Sequence, residues 1–160
     1  MKRKHLLLYA LMLGLTAALC ACSSDNEENL NTGTPAAHTI VKCEVPEWTC
    51  ADEVIPFGSM VVYMTNASLP AITKLANGDI VAAFVGEECR GVWTCSDYNG
   101  QATDIVLTVY EKETDANGAT SFVVRYYSTL SKGYYESEPI RFASNQILGH
   151  VAQPYVPTWK

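Results

Sequence analysis

Cysteine, histidine, carboxylate and aromatic side chains are the groups in this 160-residue chain that could do chemistry. Cys20 and Cys22 stand near the N-terminus, while Cys43, Cys50, Cys89 and Cys95 are spread through the rest. In an oxidising compartment, four thiols allow three disulfide connectivities. If residues 89–95 form one strand, its ends lie ~20 Å apart at ~3.3 Å per residue, whereas a bridge needs Cα atoms within ~7 Å. Cys43 and Cys50 flank Glu44-Val45-Pro46-Glu47-Trp48-Thr49, which Pro46 can fold into a loop. A Cys43–Cys50 disulfide is therefore expected, with Cys89 and Cys95 as free core residues. Intervals of six and five intervening residues do not have the spacing of a zinc knuckle.

Signs of catalysis are thin. Beyond residue 38 the chain has one histidine, His150, far from any nucleophile motif. It has no Gly-x-Ser-x-Gly, no His-Glu-x-x-His and no phosphate-cradling glycine loop. A glycosidase needs two carboxylates across a cleft. Glu87 and Glu88 are neighbours in a turn and cannot flank a sugar, which leaves only pairs from separate loops, such as Asp97 with Glu136. Asp115-x-Asn117-Gly118 begins like an oxygen-ligand loop for calcium but lacks the distal acidic ligand, and Asn-Gly reads as a hairpin turn. A non-enzyme without metal or cofactor is expected.

Aromatic rings are the remaining means of holding a ligand. Apolar sugar faces stack on exposed Trp and Tyr, and the chain offers Trp48, Trp93, Trp159 and the pairs Tyr126-Tyr127 and Tyr134-Tyr135. Neighbours on a strand point to opposite faces, so each Tyr pair supplies one core and one outer residue. Trp93 shares strand parity with Cys89, Gly91 and Cys95, which suggests an apolar setting, whereas Trp48 lies in a polar segment between Glu47 and Thr49. Trp48, Trp93, Tyr134 and Tyr135 are the candidate ligand-binding residues.

The elements that would carry them alternate with period two. Met60, Val62 and Met64 share a face, as do Ile105, Leu107 and Val109, and as do Phe122, Val124 and Tyr126. Turn signals stand between the runs: Asn77-Gly78-Asp79, Gly86-Glu87-Glu88, Tyr98-Asn99-Gly100, Asp115-Ala116-Asn117-Gly118 and Lys132-Gly133. Strands are predicted near 39–45, 59–66, 79–85, 89–95, 103–111, 120–129, 132–137 and 138–143, with one helical turn near 69–75. This spacing predicts an all-β chain, a single antiparallel β-sandwich, Ig-like or jelly-roll-like, over residues 39–160. Pro154 and Pro157 exclude a central strand at the C-terminus and predict a packed tail or an edge segment.

The N-terminus reads Lys2-Arg3-Lys4, then an apolar run from Leu6 to Leu19, too short for the ~20 residues of a spanning helix. It closes on Leu19-Cys20-Ala21-Cys22, which resembles a bacterial lipobox, with an aliphatic residue at −3, a small one at −1 and the lipidated cysteine, Cys22, at +1. Residues 1–21 are thus expected to be a cleaved lipoprotein signal, and Cys22 to carry palmitate-type acyl chains. At ~0.8 kcal/mol per buried CH₂, several chains hold a protein in a membrane where one does not. Ser23-Ser24-Asp25-Asn26-Glu27-Glu28 resembles the surface-export signal of Bacteroidota-type lipoproteins. Residues 22–38 contain Leu30 as their one large apolar side chain and are expected to form a disordered acidic tether, reaching ~22 Å on average. Three of the 11 basic residues and none of the 17 acidic ones lie in the signal, so processing takes the formal charge from −6 to −9. Such a balance argues against nucleic-acid binding.

Asn77-Gly78-Asp79-Ile80-Val81-Ala82-Ala83-Phe84-Val85-Gly86-Glu87-Glu88-Cys89-Arg90-Gly91-Val92 resembles a hairpin of a β-sandwich module that recurs in small secreted and surface lipoproteins of Bacteroidota. Trp93 and Cys95 depart from it, since smaller residues are usual there. The resemblance implies an accessory surface domain without catalytic residues. The expectation is an outer-membrane lipoprotein facing the cell exterior, with a non-catalytic sandwich that binds glycan or an outer-membrane protein. A structural or adhesion subunit using its sheet edges is the alternative, with a small hydrolase behind both.

Overall fold

A computed structural model describes residues 38–50, 58–112, 115 and 121–160 of the chain. The signal segment, Cys22 and most of the tether lie outside the described residues, as does the Asn117-Gly118 half of the predicted turn. The elements are β1 (Val41–Lys42), β2 (Gly58–Thr65), a 3₁₀ turn (Asn66–Ser68), β3 (Ile80–Val85), β4 (Glu88–Thr94), β5 (Asp104–Glu111), β6 (Ser121–Ser128), β7 (Gly133–Glu136), β8 (Ile140–Arg141) and β9 (Ile147–Leu148). The eight predicted strands are all present. The helical turn comes earlier than expected, at 66–68, because the Ser68 hydroxyl accepts a hydrogen bond from Thr65 N at 3.1 Å and closes it there.

The fold is all-β, with two sheets packed on one core. The larger runs β1-β7-β6-β3-β4, with β8 also on β6, and the smaller runs β5-β2-β9. Nearly every pairing is antiparallel. The exception is β9, which has no counterpart among the predicted strands and joins β2 in parallel through Val61–Ile147 and Val62–Leu148. Two residues between Gln146 and Gly149 are too few for an alternation pattern to register.

Period two makes the core. Met60, Val62, Met64, Ile105, Leu107 and Val109 from the smaller sheet meet Val81, Ala83, Phe122, Val124, Tyr126 and Tyr135 from the larger. At ~25 cal/mol per Å² of buried apolar surface, such a shared face is the main source of stability. β3 and β4 are joined by a two-residue turn, in which Gly86 has φ +60° as the first central position of a hairpin turn requires. Gly91 answers a different need. A Cβ there would lie 2.1 Å from the Thr108 carbonyl oxygen, so only glycine lets β4 approach β5 where the sheets meet.

The C-terminal residues act as both predicted alternatives at once. Glu138 N donates to Thr158 O at 2.7 Å, Lys160 N to Glu136 O at 3.0 Å, and Thr39 N to Lys160 O at 2.7 Å. The tail thereby borders β7 and the start of the domain, and Trp159 turns into the core, where its Nε1 donates to Ser68 O at 2.9 Å.

Candidate functional site

A short β-bulge decides where the aromatic residues go. β4 pairs with β3 as Gly91–Ala83 and then Cys89–Phe84, so Arg90 is the extra residue. Strand parity therefore changes between Cys89 and Gly91. Cys89 joins Ala82 and Phe84 on the outer face of the larger sheet, while Trp93 and Cys95 turn to the main core. The parity count that placed Cys89 and Trp93 on one face fails here, because it assumes an unbroken strand.

Across that outer face runs the segment from Cys43 to Cys50. Trp48 meets Phe84 edge-on at 5.3 Å between centroids and Tyr134 edge-on at 5.7 Å. Trp48 is half-buried rather than free in a polar loop, because the sheet face beneath it is itself apolar and is covered by this segment. Arg125 lies under the same rings, its guanidinium carbon 4.4 Å from the Phe84 centroid and 5.5 Å from that of Tyr134. Such placement over ring faces is favourable for a cation.

The Arg125 guanidinium also makes a paired fork to Glu87, at 3.0 and 3.1 Å, and its Nε donates to Glu136 at 2.9 Å. Glu87 first, then Glu136, hold its pKa above the ordinary arginine value, against the effect of burial. Glu136 in turn accepts from Lys160 Nζ at 3.1 Å. Burial by itself would raise the Glu136 carboxyl, but hydrogen bonds from Arg125 and Lys160 outweigh it and hold the pKa low. Beside this network, Thr39, Val41, Tyr134, Glu136 and Lys160 line a shallow pocket of about 280 Å³.

Of the four candidate ligand residues, Trp48 and Tyr134 are thus brought together. Tyr135 is not available to a ligand: it is 2% exposed, on the inner face, stacked on Tyr126 at 6.1 Å. Trp93 is half-buried against the main core. Sequence reasoning missed Phe84 as a partner of Trp48 and Arg125 as the cation over the Phe84 and Tyr134 rings. Parity alone puts Arg125 outward, but the seating of Trp48 against the Phe84 and Tyr134 rings that Arg125 touches depends on how an irregular segment crosses the sheet.

The cysteines also depart from the expected pairing. Cys50 Sγ lies 3.4 Å from Cys89 Sγ, so Cys50 is seated against Cys89 and not against Cys43. Cys43 belongs to the other end of the crossing segment, where its backbone N donates to Lys132 O at 3.4 Å. All four thiols are free in this structure. Cys50 is drawn to Cys89 because it packs together with Trp48 against the Ala82, Phe84 and Cys89 cluster on the outer sheet face.

Two charged residues of the Asn77–Val92 hairpin serve structure. Asp79 is fully buried and accepts from Tyr126 Oη at 2.6 Å, Thr129 Oγ1 at 2.7 Å, Thr129 N at 2.8 Å and Ala76 N at 3.0 Å. Arg90 is 3% exposed and forks onto Asp115 at 2.5 and 3.0 Å, with Glu88 at 3.2 Å. Glu88 also pairs with Lys112. Glu87 and Glu88 therefore engage different cations. Asp97 follows β4 and Glu136 lies in β7, with β3 and β6 between these strands in the larger sheet, so the two carboxylates do not face each other across a cleft. Among the described residues no three His, Cys, Asp or Glu side chains gather as a metal site would require. No protein-family model, curated protein or solved structure matches the chain.

Proposed function

We propose that this chain is a lipoprotein of the outer membrane, anchored through acyl chains on Cys22 and facing the cell exterior, whose sandwich is a non-catalytic glycan-binding domain. The observation that carries the ligand reading is the Trp48–Tyr134 face, with Arg125, Glu136 and Lys160 beside it and the shallow pocket at its margin. Two half-buried rings held at a fixed angle supply a stacking surface at low entropic cost, and the adjoining charged groups can bond sugar hydroxyls. The address is supported by the lipobox and by the acidic run after Cys22.

The test is a glycan panel probed with the full-length chain in detergent micelles. A retained glycan should lose at least ~10-fold in affinity on Trp48→Ala and on Tyr134→Ala, and should be unaffected by Lys74→Ala, as expected when a stacking contact is lost. Unchanged affinity in both aromatic variants, or no retention by folded protein, would remove the glycan reading. Protease shaving of intact cells tests the address, since surface exposure predicts cleavage while a periplasmic marker survives.

A protein-binding structural or adhesion role draws support from a different place. β9 covers only Val61 and Val62 of β2, and Ile147 and Val106 are exposed on the smaller sheet. That edge could accept a strand from a partner.

A further inference from the structure

We propose that Cys50 and Cys89 are the partners of a structural disulfide that fastens the Trp48 segment to the outer face of the larger sheet. Their sulfurs are 3.4 Å apart, with Cys89 buried on β4 and Cys50 half-buried above it. Closing to a bond of ~2.05 Å requires about 1.4 Å of sulfur movement. Cys50 stands in irregular backbone, outside any strand ladder, so rotation of its side chain can supply this. The other two cysteines are differently placed. Cys95 directs its thiol to Asn77 Oδ1 at 3.8 Å, and Cys43 lies near Lys132.

Bond formation takes a disulfide oxidant, either a thiol oxidoreductase or glutathione disulfide. Cys50, as its thiolate, attacks one oxidant sulfur and displaces the other as a thiol. Cys89 then attacks Cys50 Sγ in the mixed disulfide and displaces the second thiol. One S–S bond forms in the protein, one breaks in the oxidant, and the two cysteine protons end on the released thiols. Burial first, then the hydrogen bond and charge of Cys89, push the Cys50 thiol up to about 12. A scarce thiolate exchanges slowly. The pair thus suits a bond made once during folding, not a cycling redox catalyst.

The consequence is local. Cys50 lies two residues beyond Trp48, so the bridge holds the indole edge-on to Phe84 and Tyr134. The geometry is independent of any ligand, while the occurrence of the bond in the cell rests on the export reading. The experiment therefore sets the redox conditions itself. Full-length chain is equilibrated with glutathione disulfide, blocked with N-ethylmaleimide, digested without reductant and analysed by mass spectrometry. The expected result is a Cys50 peptide linked to a Cys89 peptide, with Cys43 and Cys95 carrying the blocking group. Four blocked thiols, or a Cys43–Cys50 link, would overturn the proposal. A second measurement uses Cys50→Ser, which changes a half-exposed position. Dithiothreitol should lower the melting temperature of the oxidised wild type and leave that of Cys50→Ser unchanged. An equal shift in both would also overturn it.

Discussion

Asp79 and Arg90 illustrate how a buried charge in a sandwich of this size is held by partners, the carboxylate of Asp79 through hydrogen bonds and the Arg90 guanidinium through its fork onto Asp115. That fork leaves Arg90 Nε unpartnered among the described residues. Burying a carboxylate without partners is prohibitive, and Asp79 accepts four hydrogen bonds from three residues, two of them from Thr129 just past the end of β6. It thereby ties the Asn77-Gly78 turn to the turn that leads into β7. Tyr126→Phe removes one of these bonds and is expected to cost about 1–2 kcal/mol, read as a lowered urea midpoint with unchanged slope. Arg90 works through Asp115, whose carboxyl is held below its usual value chiefly by the Arg90 hydrogen bond, with Lys112 N adding to it against the effect of burial. A carboxylate with a depressed folded-state pKa adds stability that is complete above its unfolded value, near ~3.9, and is lost as pH falls through the folded one. Asp115→Asn should therefore destabilise at neutral pH and flatten the loss of stability seen below about pH 4 in the wild type. Urea titrations at pH 7 and pH 3 would show it, and parallel pH profiles for both proteins would contradict it.

Pairs of strands are constrained by backbone approach as much as by side-chain pattern. Gly86 and Gly91 sit five residues apart on one hairpin and have opposite reasons for being glycine. At Gly86 the φ of +60° is the difficulty and nothing lies within 4 Å of an added Cβ, so Gly86→Ala should cost about 1–2 kcal/mol. At Gly91 the backbone is ordinary but a Cβ would strike Thr108 O, which belongs to a paired strand and cannot move alone. Gly91→Ala should cost about 3 kcal/mol or prevent folding, since overpacking by even one carbon forces the surrounding structure to shift. Comparing the two alanine variants by chemical denaturation separates the causes. A larger loss at Gly86 would contradict the tight β4–β5 approach at Gly91.

Closure of the whole sandwich depends on chain segments distant in sequence. Trp159, 8% exposed, places its indole beside Tyr126 at 6.5 Å and bonds Ser68 O, joining the last residues to the turn after β2. His38 Nδ1 lies 3.3 Å from Trp159 O, so the first described residue meets the same tail. Trp159→Ala should cost about 3–5 kcal/mol, as for other large aromatics removed from a core, whereas Lys160→Ala should stay within about 1 kcal/mol. Thermal melts of the two variants check this. A Cys50–Cys89 bond closes a loop of 39 residues in separation, for which chain entropy alone implies roughly 4 kcal/mol. That value is an upper expectation, since the undisturbed thiols already pack against each other.

Alternation was enough to reveal the strands, because one buried face and one outer face impose period two on any sandwich strand long enough to repeat. The runs around Met60–Met64, Ile105–Val109 and Phe122–Tyr126 all carried it, and their inner and outer residues fall as the pattern requires. Three features needed the tertiary structure. The bulge at Arg90 reverses strand parity, and one inserted residue leaves no periodic trace. β9 is too short to alternate and owes its existence to a vacant edge of β2. The crossing of residues 43–50 over the larger sheet brings Trp48 to Tyr134 and Cys50 to Cys89 through contacts between residues 39 to 86 positions apart. Periodicity reports on a residue's immediate neighbours along the chain, so such long-range meetings are settled only when the apolar outer face of the sheet finds its cover.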